Sequence, residues 1–180
     1  MQTYLNFYSN KQYMELKHAL KKLNESKEYK DSIKENKDIF FSYALITIEN
    51  NKATPWQLGF YNKSTDKMTT FIVGKDKIVV QKEEEIFKKP DMEVTPIEME
   101  RAELKFNEIM EKTKNFKKEK YQKETISKTI AIMQNLEDYG TIWNITFVTD
   151  SFKTLNLKIN PENSEVISHN LESIMDFVKK

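Results

Sequence analysis

Trp56 and Trp143 stand in matching phrases, Pro55-Trp56-Gln57-Leu58-Gly59-Phe60 and Ile142-Trp143-Asn144-Ile145-Thr146-Phe147, and this near-repetition constrains the fold more than any other feature. The two tryptophans lie 87 residues apart, and the same offset pairs Ile39 with Ile126, Ala44 with Ala131, Thr54 with Thr141 and Phe60 with Phe147 without a gap. Self-similarity at a fixed offset reads as one structural unit present twice. The spacing predicts two units, residues 1–90 and 91–180, with the boundary near Pro90 in Lys88-Lys89-Pro90-Asp91.

Each unit opens on a capping-box pattern, Ser9-Asn10-Lys11-Gln12 in the first and Thr95-Pro96-Ile97-Glu98 in the second. The apolar stripes that follow, Tyr13, Leu16, Leu20, Leu23 and Met99, Ala102, Phe106, Ile109, predict a long amphipathic helix in each half. Shorter apolar segments come next, Ile39 to Asn51 and Ile126 to Leu136. The first has strand-favouring residues in Phe40, Phe41, Tyr43, Ile46 and Ile48, but its repeat partner Ser127-Lys128-Thr129-Ile130-Ala131 reads as helix, so both are assigned as helices. Alternation then marks the Trp56 and Trp143 strands, followed by strands at Met68–Val73 and Lys153–Ile159 and third strands near Ile78–Val80 and Glu165–Ser168. A final helix is expected over Leu171–Val178. The resulting expectation is an α+β tandem repeat, each unit a helix pair packed on a three- to four-stranded antiparallel sheet.

Composition narrows the chemistry. With no cysteine, disulfides, thiolate catalysis and cysteine-bound zinc are excluded. The formal charge is +1 and Arg101 is the single arginine, whereas nucleic-acid readers rely on arginine forks; no nucleic-acid partner is expected. Neither a signal-peptide pattern nor a run long enough to cross a membrane is visible, so no membrane insertion is expected; the compartment is cytoplasmic if the chain is complete and extracytoplasmic if an export signal has been removed. Gly59, Gly74 and Gly140 are the only glycines, too scattered for a P-loop or a dinucleotide turn. His18 and His169 occupy non-equivalent places, and the carboxylates at Glu83–Glu85, Glu98, Glu100 and Glu103 read as solvated charges. No catalytic residue, metal or cofactor is expected.

A helix, a short alanine-containing segment, then Trp-x-apolar-x-Phe and two more strands, carried by Ala44–Val80 and again by Ala131–Ser168, resembles the PepSY type of small α+β module in tandem. In outline the chain also resembles the β-lactamase inhibitor proteins. The PepSY resemblance implies a non-catalytic module that restrains proteases or binds other proteins. From the residues themselves, Trp56, Phe60, Trp143 and Phe147 read as core, while Tyr61, Phe71, Val148 and Phe152 are placed on the opposite faces of the sheets and are the candidate partner-binding residues. Tyr4, Leu5, Phe7 and Tyr8 are placed as a further edge strand, added either to one of the sheets or to a partner. The functional expectation is a non-enzymatic protein- or peptide-binding module acting as an inhibitor or regulator of a protease or other enzyme. A small-ligand carrier or hydrolase with a cavity between helices and sheet is the alternative.

Overall fold

Among the described residues nine strands form, several of them with alternating burial, and all nine join a single antiparallel sheet. The computed structural model describes residues 13–34, 38–85 and 93–177. The Ser9 capping box, the aromatic start and the Lys88–Asp91 boundary lie outside those residues. Helices α1 (Leu16–Glu25) and α2 (Lys27–Ile33) precede strands β1 (Ile39–Glu49), β2 (Lys52–Ala53), β3 (Trp56–Asn62), β4 (Lys67–Val73) and β5 (Ile78–Glu85). A 3-10 turn at Met99–Arg101 and helix α3 (Phe106–Lys120) then lead to β6 (Ile126–Leu136), β7 (Gly140–Thr149), β8 (Lys153–Ile159), β9 (Val166–Ser173) and the short α4 (Ile174–Phe177).

The order across the sheet is β5-β4-β3-β1-β6-β7-β8-β9, with β2 hairpinned on β1. Each half supplies a meander of four long strands, and β1 and β6 meet at the centre, in register from Tyr43 opposite Gln134 to Glu49 opposite Lys128. This corrects the expected two helix-pair-on-sheet units: one sheet-dominated layer spans the chain. It corrects the two central assignments as well, since Ile39–Glu49 and Ile126–Leu136 are strands. A central strand has neighbours on both edges, and its outward side chains are themselves half-buried, so no polar phase advertises the period of two. In β1, Ser42, Ala44, Ile46 and Ile48 are buried while Tyr43, Leu45 and Thr47 are half-buried. At the C-terminus the expected helix begins later than its start at Leu171: β9 continues through Ser173 as the edge partner of β8, and Ile174–Phe177 is helical.

The helices also depart from the simple pairing. Ser26 interrupts the first amphipathic stretch in an extended conformation, and its side chain accepts from Tyr29 N at 3.2 Å to start α2. In the second half the Thr95 box starts no α-helix; Met99–Arg101 is 3-10 and α3 begins only at Phe106. The N-terminal amides of α3 are satisfied from the other half of the chain. The Glu15 carboxylate, just before α1, accepts from Phe106 N at 2.7 Å and Asn107 N at 3.4 Å, and Tyr13 N donates to Asn107 Oδ1 at 3.0 Å. A carboxylate there also complements the helix dipole.

These helices cover one side of the sheet. Leu16, Ala19 and Leu23 of α1 and Phe106, Ile109 and Met110 of α3 enter the core with Trp56, Leu58, Phe71, Trp143, Ile145 and Phe147. Its centre is an aromatic trio: the Phe106 ring lies 5.0 Å from Trp56 and 5.2 Å from Trp143, and the two indoles are 6.1 Å apart. Tyr29 of α2 extends it, 5.1 Å from Phe60 and 5.6 Å from Phe71.

Candidate functional site

Among the described residues, one side of the sheet faces away from α1, α2 and α3. One row of paired residues crosses its width: Val79, Ile72, Gln57, Leu45, Ile132, Asn144, Lys158 and Ser168, from β5 to β9. The row changes character at the middle. From β5 to β6 it is mainly apolar, with Val79 exposed and Ile72, Leu45 and Ile132 half-buried. Beyond β6 amides and hydroxyls take over. Asn156 on β8 donates to Asn144 Oδ1 at 2.6 Å and Thr146 Oγ1 at 2.9 Å, and the Lys158 ammonium lies 5.0 Å from the centre of the Tyr139 ring.

Tyr43 is the most constrained side chain on this side. Its ring lies across β3 at Gly59, where there is no side chain to obstruct it, and its hydroxyl reaches Thr70 Oγ1 on β4 at 2.8 Å. Burial pushes the phenol pKa upward, with the Thr70 hydrogen bond opposing.

The four sequence-predicted residues do not come together. Tyr61 lies on the open side but is buried, its ring 5.4 Å from Phe40 and its hydroxyl donating to Asp66. Phe71 points to the helix-covered side and is fully buried. Val148 is half-buried between Lys128 and Thr154 of the flanking strands. Only Phe152, at 70% exposure in the turn between β7 and β8, is open to solvent. Tyr43, Leu45 and Ile132 escaped the sequence reading because β1 and β6 were assigned as helices, whereas Ile72 lies in a strand that was read correctly but was not picked out. The signal in β1 was the set of strand-favouring residues Phe40, Phe41, Tyr43, Ile46 and Ile48.

No protein family and no curated protein matches the sequence. A crystal structure of a "putative lipoprotein" from Clostridium difficile 630 is similar in fold, with a TM-score of 0.56 and 12% identity over 87% of this chain and 91% of that one. At that identity the likeness concerns the arrangement of the sheet and helices. Among the described residues, no helix is long and apolar enough to cross a membrane, and no group of three His, Asp or Glu could hold a metal ion. His169 instead sits beside Tyr121, whose hydroxyl is 2.6 Å from its Nδ1, and stacks 5.2 Å from Phe116.

The Phe152 turn is braced from below. Glu124 accepts from Ser151 Oγ at 2.6 Å and Lys153 Nζ at 2.8 Å, and Thr149 Oγ1 accepts from Lys153 N at 3.1 Å. The Lys153 and Ser151 hydrogen bonds hold the Glu124 carboxyl below its ordinary pKa. A lowered folded-state pKa contributes stability that is present above the unfolded value and lost as pH falls through the folded one. Glu124→Gln is therefore expected to be less stable than wild type at neutral pH, with the difference shrinking below about pH 4; urea midpoints of both proteins across that range check it. A constant difference would mean that the carboxylate charge is not what stabilises the turn.

Phe152 itself has φ = 56°, the left-handed region that aromatic residues rarely occupy. Phe152→Asn keeps that conformation at lower cost and is expected to match or exceed wild-type stability by about 1 kcal/mol. Thermal melts of the pair measure this, and a clear loss would show that the ring contributes to the fold.

Proposed function

We propose that the chain is a non-enzymatic protein- or peptide-binding module, a regulator of an enzyme such as a protease, that receives its partner on the open side of the sheet. The observation carrying this reading is the row from Val79 to Ser168, in which Ile72, Leu45 and Ile132 stand on the side facing away from α1 to α3. A rigid sheet presents such side chains at fixed spacing, so little conformational freedom is lost on binding. Apolar centres bordered by amides and hydroxyls also match the composition of interface cores and rims. The space between helices and sheet, which a carrier or hydrolase would need, is occupied by Trp56, Phe106 and Trp143.

Leu45→Lys combined with Ile132→Lys tests the proposal, since both side chains face away from the core and the variant is expected to fold. Proteins from the source organism retained by immobilised wild type should bind the double variant roughly tenfold or more weakly. If every retained protein binds both equally, the open side is not the binding surface.

A further inference from the structure

We infer that the chain also associates with copies of itself head to tail, the Phe152 turn of one molecule seating in a lysine-rimmed depression beside α1 of the next. Phe152 and Met175 are 70% and 61% exposed, the highest values among the large apolar side chains described. They lie close together because Ile174 N donates to the Phe152 carbonyl at 2.9 Å. An aromatic residue held in the left-handed region over the Glu124 network is a pre-ordered knob, and backbone strain of this kind persists only where the surroundings enforce it. Exposed Asp150 borders it, while the charge of Lys153 is neutralised by Glu124.

The complementary feature is centred on α1 in the first half of the chain, with Met99 of the second half in its lining. A shallow, open depression of about 490 Å³ lies beside α1, with Leu20 and Met99 as its apolar lining and Lys17, Lys21 and Lys30 around it. Its single carboxylate, Glu25, is 4.0 Å from Lys21, leaving a surplus of positive charge. Apolar meets apolar and Asp150 meets lysine when the knob of one molecule enters the depression of another. Helix α1 packs on β3 and β4, whereas the knob projects from β7 and β8, so one molecule does not close the contact on itself. Two different patches in contact make a heterologous interface, which grows into rings or open chains rather than stopping at a symmetric dimer. One knob and a few charges make a small interface, so the association is weak and is suppressed by salt.

Sedimentation velocity of the purified full chain at rising concentration and low ionic strength tests this. Wild type should show a concentration-dependent increase in mass that salt reverses. Phe152→Asn, which leaves the fold intact, should weaken association roughly tenfold or more. Asp150→Lys and Lys21→Glu should each weaken it, and a mixture of Asp150→Lys with Lys21→Glu should recover, because the unaltered knob of the second enters the unaltered depression of the first and the two reversed patches attract each other. A wild type that stays monomeric at every concentration overturns the inference, as does association that Phe152→Asn leaves unchanged. Neither result bears on binding at the open side, which uses other residues.

Discussion

Phe106→Ala is expected to destabilise the protein by about 3–5 kcal/mol, the range for removing a buried aromatic side chain from a packed core. The reason for the upper end is position. Phe106 is 2% exposed, and its ring is the one from α3 that touches both tryptophans, 5.0 Å from Trp56 and 5.2 Å from Trp143. Aromatic pairs of this geometry contribute about 0.5–1.5 kcal/mol beyond the apolar area they bury. Truncation leaves a void bordered by two rigid indoles on β3 and β7, strands that cannot collapse into it without shifting the central pair β1 and β6. Urea unfolding followed by tryptophan fluorescence measures the cost, and the same experiment should show one transition for both halves, since the trio straddles them. A loss below about 1 kcal/mol would mean the site relaxes freely, and two separated transitions would mean the halves unfold as independent units.

The sequence announced this centre well and its surroundings poorly. Alternation in the Trp56 and Trp143 segments was legible because each has small or polar residues on the opposite phase, Gln57 and Gly59 in one and Asn144 and Thr146 in the other. β1 and β6 were hidden by the same physics that makes them central, since flanking strands half-bury even their outward side chains. The offset of 87 residues then transferred a mistake from one segment to the other: equivalent segments are the same kind of element, and the wrong kind was chosen for both. Pairing of β1 with β6 depends on contacts between distant parts of the chain, which no local pattern encodes. The same holds for Glu15, whose place at the start of α3 could not be inferred from either helix alone. The candidate site suffered accordingly. Tyr61 lies on the open side but is buried, Phe71 points into the core, and Phe152, expected on a sheet face, stands in the turn between β7 and β8.

Gly59→Ala is expected to cost about 2–4 kcal/mol, although a single methyl group is added on the open side of the sheet. Its Cβ would lie 2.0 Å from Tyr43 Cε1 and 2.3 Å from Cδ1, so the ring must leave. Moving the ring breaks the 2.8 Å contact with Thr70 Oγ1, and Thr70 is only 8% exposed, so its hydroxyl loses its partner where water reaches it poorly. Backbone conformation is not the issue, since the positive-φ glycine is Gly140. A second substitution separates the causes. In a Tyr43→Ala background the obstructing ring is gone, and Gly59→Ala should become neutral or mildly stabilising, because glycine is a poor residue for a strand interior. Denaturation midpoints of the four proteins give the coupling between the two positions. Spectrophotometric titration adds an independent reading: burial raises the pKa of both Tyr29 and Tyr43, and only Tyr43 should move toward the ordinary tyrosine range in Gly59→Ala. Equal cost in both backgrounds would show that the added methyl clashes with the strand itself, and that the Tyr43 ring does not lie over Gly59 in solution.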